Sequence, residues 1–225
     1  MNIILFGPPG AGKGTQAIQI AKKFNLHKIS TGDMLRDEIK NNTDLGIKIK
    51  SRMDGGNLVS DEIIMNLVNN ILGNKKYSNS LIFDGCPRNL IQAEELDSLL
   101  IKYNQKISLV FNIDVNKDIV IKRILGRIIC TNCGLTFNKM LEPASIDNHE
   151  CDKKYLKKRS DDNEKVIASR FETYVAQTLP LLQYYTNQKI LKKIDGTGQI
   201  CEINAKIASI MASLETWHFK LYSYK

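Results

Sequence analysis

The sequence has no apolar run that approaches the length of a membrane span, no internal repeat and no low-complexity tract. These absences exclude a membrane-spanning protein, a solenoid and a disordered linker. Cysteine is scarce, and its five residues are an odd number in a chain without a signal peptide. Because a strand is expected from Asn2 onward, there is no room for a secretory or organellar leader. We therefore expect a cytoplasmic protein with free or metal-bound thiols.

The chain carries a net charge of +8, which could serve a nucleic acid, a membrane surface or an anionic small substrate. Its basic doublets are scattered over expected helix faces and loops, without a continuous basic stripe or interleaved aromatic residues for stacking bases. This distribution argues against nucleic acid and membrane partners, although a nucleic-acid-binding zinc module remains an alternative. The doublets are Lys22-Lys23, Lys75-Lys76, Lys153-Lys154, Lys157-Lys158 and Lys192-Lys193.

A glycine-rich stretch follows directly on the apolar run Ile3–Phe6 and precedes a helical pattern. Glycines let successive N–H groups point inward, the helix adds the positive end of its dipole, and Lys13 can reach terminal phosphates. The stretch therefore predicts a phosphate-binding loop for a nucleotide. In the common pattern a Ser or Thr follows the lysine directly, whereas here Gly14 stands between Lys13 and the hydroxyl residue Thr15. The predicted phosphate-binding residues are Gly10, Ala11, Gly12, Lys13, Gly14 and Thr15.

Strand-like runs alternate with helical patterns along most of the chain, which predicts an α/β fold with a parallel sheet covered by helices on both faces. At 225 residues the chain is long enough for one well-buried core with inserts. The predicted pairs are 2–6 with 13–24, 81–84 with 90–101, 108–113 with 117–125, and 190–194 with 201–214. A single long helix is predicted over Glu164–Tyr185.

Two segments interrupt the alternation. Residues 30–59 have short helical patterns broken by glycines and no strand of their own, and residues 127–162 are predicted to be a small irregular insert. Both follow positions where ligands of open α/β sheets bind, so they are candidate lids. The predicted core then comprises residues 1–29, 60–126 and 163–225.

Further motifs connect the chain to a family. They are 30–36 (STGDMLR), 83–88 (FDGCPR) with Gln92, Asp61-Glu62, Gly126-Arg127, 159–162 (RSDD), Arg170 and 195–197 (DGT). With the phosphate loop, they make the chain resemble adenylate kinases of the long form with an extended lid. The resemblance implies a P-loop NTPase-type sheet with a nucleoside-monophosphate-binding insert at 30–59 and a lid at 127–162. It also implies reversible transfer of a phosphoryl group from ATP to AMP.

The resemblance assigns roles to individual residues. The implied catalytic residues are Lys13, Arg88, Arg123, Arg159 and Arg170. Besides the phosphate loop, the implied ATP-binding residues are Arg123, Arg127, Thr136, Phe137 and Gly198. The implied AMP-binding residues are Thr31, Arg36, Asn57, Leu58, Val59, Gly85, Arg88, Gln92, Arg159 and Arg170. Thr31 alone would also fit as a helix N-cap.

These residue types suit phosphoryl transfer. The attacking oxygen of AMP is already ionised near neutral pH. The enzyme therefore has to position two polyanions and to stabilise the negative charge on the phosphoryl group during its transfer. Arginine supplies this through a planar, permanently charged fork that meets phosphate oxygens two at a time. By resemblance, Asp33 and Asp84 would orient water around Mg²⁺.

Cysteines in the predicted lid resemble the zinc-bearing lid of long-form bacterial adenylate kinases. Cys130, Cys133 and Cys151 supply three ligands, but Lys154 stands where a fourth is expected. Since tetrahedral zinc requires four donors, the sequence predicts a weakened or abandoned site. If zinc is retained, Asp152 or His149 is the expected replacement.

Other functions stay open within this interpretation. GTP could replace ATP as donor, since donor-base selection rests largely on main chain and stacking. A UMP/CMP kinase is disfavoured by Thr31, Gln92 and the long lid, and a P-loop regulatory switch is disfavoured by the arginines in the same chain. A monomer is expected. The aromatic tail with Trp217, Phe219, Tyr222 and Tyr224 could cap a core helix or bind a partner.

Overall fold

A five-stranded parallel sheet forms the centre of the computed structural model, which describes residues 1–141, 146 and 149–222, with side chains described up to residue 214. Its strands are β1 (Asn2–Phe6), β2 (His27–Ser30), β3 (Leu81–Asp84), β4 (Ile107–Asp114) and β8 (Leu191–Asp195). Their spatial order is β2-β3-β1-β4-β8. The parallel sheet with helices on both faces confirms the predicted α/β class.

Strand β1 shows why the sheet has two hydrophobic cores. Ile3 and Leu5 lie in one buried cluster, whereas Ile4 and Phe6 lie in the other. Successive side chains of a strand point to opposite faces, and a parallel sheet is covered on both. The continuous apolar run at the start of the sequence therefore contributes to both cores at once.

Helices cover the sheet and carry polar side chains at several of their N-termini. Ser30, Thr43, Asn89 and Asn163 each accept a hydrogen bond from a backbone N–H of the first turn, which explains where those helices begin. The helices are α1 (Lys13–Phe24), α2 (Thr31–Lys40), α3 (Asp44–Asp54), α4 (Asp61–Leu72), α5 (Leu90–Lys102), α6 (Lys117–Leu125), α7 (Glu164–Thr173), α8 (Leu181–Asn187) and α9 (Ile200–Tyr222). Short 3₁₀ turns occur at Lys75–Tyr77 and Lys153–Tyr155.

The structure adds a strand that the sequence analysis missed. Strand β2 pairs with β3 in parallel, with Lys28 opposite Ile82 and Ser30 opposite Asp84. Only Ile29 of its four residues is fully buried, because β2 is an edge strand with a partly open face. Its mixed polar sequence therefore lacks the apolar run that identifies the central strands.

The prediction of one helix over Glu164–Tyr185 is wrong. Helix α7 ends at Thr173, a π-helical turn covers Tyr174–Thr178, and α8 begins only after Pro180. Pro180 has no backbone N–H, so a regular α-helical hydrogen-bond ladder cannot continue through it. The amide of Leu179 instead donates to the carbonyl of Tyr174 over 2.9 Å.

The two interrupting segments have different structures. Helices α2 and α3 form a close pair, in which a Cβ at Gly46 would lie 2.2 Å from the carbonyl oxygen of Glu38. Residues 127–162 are more regular than predicted, because they contain a three-stranded antiparallel sheet. Its strands are β5 (Arg127–Cys130), β6 (Thr136–Asn138) and β7 (Leu156–Lys157), in the order β6-β5-β7.

Candidate active site

The glycine-rich loop joins the buried end of β1 to the first turn of α1. The Lys13 ammonium folds back onto it and donates hydrogen bonds to the carbonyls of Gly7, over 2.7 Å, and Pro8, over 2.9 Å. Gly10 has a φ of +82°, and a Cβ there would lie 2.6 Å from Cγ1 of Ile124. Only glycine fits this position, since a side chain would meet both strain and a clash.

Lys13 is held in a place that disfavours its charge. Burial, together with the nearby arginines Arg88 and Arg170, lowers the pKa of Lys13 from 10.5 to about 8. Asp84 acts in the opposite direction. An ammonium in such surroundings gains more than an exposed one from an anion placed beside it.

Strand β3 ends at Asp84 and leads into the segment that carries Arg88. The carbonyl of Gly85 accepts hydrogen bonds from Nε of Arg88, over 2.8 Å, and from the hydroxyl of Thr31, over 2.9 Å. With a φ of +86°, Gly85 brings its backbone so close to Arg88 that a Cβ would lie 3.0 Å from Nη2. The peptide bond between Cys86 and Pro87 is cis.

Arginines from separate elements converge on the same space. Burial, together with repulsion from Arg127, lowers the pKa values of Arg159 and Arg170 to about 10. Burial also lowers the pKa of Arg88, and Arg36 contributes to that shift. Guanidinium groups destabilised by burial and by one another are suited to a polyanionic ligand.

Aspartates hold these arginines in place. Nη1 of Arg170 lies 2.8 Å from Asp161, and Nε of Arg127 donates to Asp162 over 2.7 Å. Asp162 is 1% exposed, so its carboxylate is a fixed internal partner of the Arg127 fork.

A cleft of about 940 Å³ brings most of the predicted site together. Its walls combine the phosphate loop, the ends of β2 and β3, and the segments around β5, β6 and α7. The sequence-predicted residues that line it are Gly10, Ala11, Gly12, Lys13, Gly14, Thr15, Asp33, Arg36, Leu58, Asp84, Gly85, Arg88, Arg123, Arg127, Thr136, Phe137, Arg159, Arg170 and Gly198.

Four residues assigned to AMP do not line this cleft, namely Thr31, Asn57, Val59 and Gln92. Gln92 is 1% exposed; its Oε1 accepts from the Arg88 amide over 2.8 Å and its Nε2 donates to Asp61 over 2.7 Å. Thr31 is not the N-cap of α2, since Ser30 has that role. In the structure Thr31 and Gln92 therefore support the backbone around Gly85 and Arg88.

The far end of the cleft has the composition of a nucleobase site. Arg123 extends from α6 to within 3.5 Å of the Ala11 carbonyl, and burial lowers its pKa. Thr136 and Phe137 of β6 line the same cleft, as does Gly198 before α9. A guanidinium plane and an aromatic ring are both surfaces on which a base can stack.

Asp33 and Asp84 supply the oxygen ligands that suit Mg²⁺. Both carboxylates face one small region, because the Lys28 ammonium reaches 3.1 Å from Asp33 and 3.8 Å from Asp84. Although burial acts in the opposite direction, Arg36 and Lys28 hold the pKa of Asp33 well below its usual range, so it stays ionised. Two carboxylates at the edge of the phosphate-binding cleft fit a hydrated divalent cation.

Comparison with known proteins agrees with this geometry. The family model described as adenylate kinase matches residues 5–190. An adenylate kinase of Pelagibacter ubique is 47% identical over 211 residues, which cover 94% of this chain and 99% of the relative. The adenylate kinase of Alkaliphilus oremlandii is 44% identical, with 95% and 99% covered, and that of Methanothrix thermoacetophila is 40% identical, with 96% and 100% covered. The chain belongs to the adenylate kinase family.

Four potential metal ligands meet beside β5. The sulfurs of Cys130, Cys133 and Cys151 and a ring nitrogen of His149 all lie within 4.8 Å of one another. His149 thereby takes the position of the missing fourth ligand, whereas Asp152 accepts a hydrogen bond from the Lys154 amide over 2.9 Å. Three thiols and an imidazole form a donor set that zinc prefers. The cluster thus fits a metal better than the sequence alone indicated.

Lys28 is a charged side chain of the cleft that the sequence analysis missed. It lies on β2, which was missed as a strand, and its partner Asp84 only becomes a neighbour when β2 pairs with β3. The polar alternation of Lys28 and Ser30 around buried Ile29 was the available signal.

Helices long and apolar enough to cross a membrane do not occur among the described residues. The side chains of the aromatic tail lie outside the described part of the chain.

Proposed function

We propose that the protein catalyses reversible, Mg²⁺-dependent phosphoryl transfer, ATP + AMP = 2 ADP. One observation carries this proposal: the phosphate-loop lysine, Lys13, and three half-buried arginines, Arg88, Arg159 and Arg170, line one cleft. A simple nucleotide switch needs only one polyanion site. A cleft with cations on both sides of the phosphate loop fits two nucleotides whose phosphates meet.

The residues act through position and charge. Arg36 and Arg88 would hold the phosphate of AMP, and Lys13 would follow the charge that moves toward the bridging oxygen of ATP. The phosphoryl group would be surrounded during its transfer by Arg123, Arg159 and Arg170. Arg127 would add a positive charge on the lid side of the donor site. No general base is required, since the attacking oxygen is already ionised.

Mg²⁺ bound to the donor phosphates would neutralise their charge and keep them aligned. Asp33 and Asp84 would hold its coordinated waters. Asp84 is suited to this because its Oδ2 lies 3.3 Å from the Cβ position of Gly14 in the phosphate loop. Asp33 lies in the same region, since one lysine ammonium reaches both carboxylates.

We assign each segment of the chain its own role. Residues 1–29, 60–126 and 163–225 form the core, residues 30–59 bind AMP, and residues 127–162 form the lid over ATP. A contact between Arg159 and Asp33, at 3.5 Å, connects the lid with the AMP segment. This contact supports closure of both segments over one shared site.

The test is a matrix of initial rates with ATP or GTP as donor and AMP, CMP, UMP or GMP as acceptor, with Mg²⁺ and with chelator. ADP formed from ATP and AMP only when Mg²⁺ is present is the expected result. Faster turnover with GTP would replace ATP by GTP as the donor. Absence of phosphoryl transfer for every pair would refute the proposal.

The Cys130–Cys133–His149–Cys151 cluster is proposed to hold a structural zinc ion. Its position beside the small antiparallel sheet, with none of the four ligands lining the nucleotide cleft, supports a role in folding the lid. This arrangement favours a retained site over the abandoned site that the spacing of Lys154 suggested.

We further propose that the protein acts as a monomer in the cytoplasm. Arginines for both nucleotides come from one chain, so the site needs no partner subunit. The five cysteines, all of which belong to the described residues, form no disulfide, and this suits a reducing compartment. Light scattering of the purified protein tests the first statement, and fractionation of cells tests the second.

A further inference from the structure

Lys28 lies beside Asp33 and Asp84 at the nucleotide cleft. Its ammonium donates a hydrogen bond to Asp33 over 3.1 Å and lies 3.8 Å from Asp84. The side chain is 21% exposed and lines the nucleotide cleft. One ammonium thus connects the two carboxylates that are proposed to hold the waters of the metal.

The backbone fixes this arrangement. Lys28 and Ser30 point to the same face of β2, and Ser30 stands opposite Asp84 in the parallel register. Ser30 also caps α2 by accepting a hydrogen bond from the Asp33 amide over 3.3 Å. Both acidic residues are therefore held at fixed positions relative to Lys28.

The two carboxylates differ in how much they depend on Lys28. Asp33 also pairs with Arg36 and lies 3.5 Å from Arg159, so two further cations balance its negative charge besides Lys28. Among the described residues, Lys28 is the cation within ion-pair distance of Asp84, and Lys13 and Arg88 interact with it electrostatically. Removal of Lys28 should thus increase the local negative potential mainly at Asp84.

We propose that Lys28 is a positioning residue that sets how strongly nucleotide binding depends on Mg²⁺. This inference rests on the proposed function. Without the metal, the ammonium balances the two carboxylates and reduces their repulsion of incoming phosphates. With the metal, the same ammonium competes with the hydrated cation for these carboxylates. Lys28 therefore makes metal-free binding stronger and the gain from Mg²⁺ smaller.

Both effects of removing Lys28 act in the same direction. Metal-free nucleotide binding weakens because the carboxylates then repel the phosphates, and the cation binds better because a like charge is gone. A unit charge and a divalent cation about 6 Å apart in water-like surroundings repel each other enough to change a binding constant about tenfold. The ratio of nucleotide affinities with and without Mg²⁺ should therefore rise about tenfold.

The experiment is calorimetric titration of the full-length protein with a bisubstrate analogue in which phosphates join two adenosines. Each variant is titrated once with excess Mg²⁺ and once with excess chelator, and the ratio of the two affinities is compared. Lys28→Gln should raise the ratio about tenfold over the original protein. Lys28→Arg keeps the charge and should leave the ratio near its original value.

Lys193→Gln is the matched control, because Lys193 pairs with Asp114 over 2.9 Å on an exposed surface. It removes an equal charge from a lysine–aspartate pair and should leave the ratio unchanged. A ratio that stays constant or falls in Lys28→Gln, with cooperative thermal unfolding retained, would overturn the proposal. An equal rise in Lys193→Gln would also overturn it, because the effect would then reflect net charge alone.

The failure of this inference differs from failure of the proposed function. If the original protein does not bind the bisubstrate analogue, the proposed function fails. If it binds the analogue and the ratio does not respond to Lys28→Gln, only the role of Lys28 is refuted.

Discussion

Lys13 is the residue on which the donor site depends most. In the structure its ammonium donates hydrogen bonds to two loop carbonyls, those of Gly7 and Pro8. Phosphate oxygens would replace these partners and follow the transferred charge. We expect Lys13→Met to reduce kcat by about a thousandfold or more. Steady-state kinetics checks this, and near-normal turnover in the folded variant would contradict the assignment of the loop.

The stability of the same variant gives an independent check. The folded-state pKa of Lys13 is about 8, below its ordinary value of 10.5. The charged lysine therefore disfavours folding at pH values below 8, and this penalty disappears as the pH rises from 8 to 10.5. Lys13→Met should consequently unfold at an equal or higher temperature than the original protein at neutral pH.

The lowered pKa of Lys13 also predicts the pH dependence of nucleotide binding. Phosphates favour the ammonium, so binding should be strongest below pH 8 and weaken as the pH rises through about 8. Above that pH, binding should take up protons. Calorimetry in buffers with different ionisation enthalpies measures this uptake. Lys13→Met serves as the control and should lose it; equal uptake in both proteins would assign the titration to another group.

At the scale of elements, the small sheet of the lid depends on the four metal ligands. Strand β5 ends at Cys130, and the described part of the lid contains only short strands, so a cross-link should add much of its stability. We expect one zinc ion per chain after metal-free purification and a clear drop in melting temperature for Cys130→Ser or His149→Ala. Asp152→Asn should retain the metal, since Asp152 lies outside the cluster.

Elemental analysis decides between the two possibilities for the cluster. Substantially less than one zinc per chain, with a melting temperature insensitive to chelator, would support the abandoned site. Unchanged phosphoryl transfer at saturating nucleotide after zinc loss would agree with a structural role.

The two segments that flank the sheet should close over bound nucleotides. In the structure Arg159 of one segment lies 3.5 Å from Asp33 of the other. Closure excludes water, so that AMP and not water accepts the phosphoryl group. Hydrogen exchange should slow in residues 30–59 and 127–162 when the bisubstrate analogue binds. Protection confined to the phosphate loop would contradict the assignment of these segments.

The elements also show what a sequence can and cannot predict. Four elements follow the predicted bounds, namely β1, α1, β3 and α6. Each has a strong local signal, which is a buried apolar run, an amphipathic pattern or a glycine at its end. β2 has no such signal, since an edge strand of four residues owes its existence to pairing with β3. The break at Tyr174–Thr178 depends in part on a tertiary contact, in which Thr178 donates to the Arg88 carbonyl over 2.8 Å.

The candidate site shows the same division. The phosphate loop could be predicted from its glycines and Lys13, and the arginines from the family resemblance; the structure brings both to one cleft, while the individual roles stay predictions. The internal partners could not be predicted, because Gln92 and Thr31 turn away from the cleft to hold Arg88 and Gly85. Such contacts depend on how β3 and α5 pack, which a single sequence does not specify.

At the scale of the whole molecule, one cleft has to hold two nucleotides and distinguish their bases. Arg123, Phe137 and Gly198, proposed for the donor, and Leu58, Arg36 and Arg88, proposed for AMP, all line it. Two polyanions that repel each other can share the cleft only if cations are distributed between them. The arginines supply this distribution within a single chain, whose described residues pack into two cores on opposite faces of one sheet.

The acceptor end should select strongly for AMP. The backbone around Gly85 and Arg88 is held rigidly by Thr31 and Gln92, so the site cannot easily adapt to a smaller base. A polar site built for one base leaves buried groups unpaired with another, which costs more than an unfilled apolar pocket. We expect kcat/KM for AMP to exceed that for CMP, UMP and GMP by about a hundredfold or more. Gln92→Ala releases the Arg88 amide and should reduce this preference chiefly through KM for AMP, whereas Gln188→Ala, at an exposed position, should leave it unchanged. Comparable kcat/KM for AMP and CMP in the original protein would show that the acceptor site belongs to a pyrimidine-specific member of the wider kinase class.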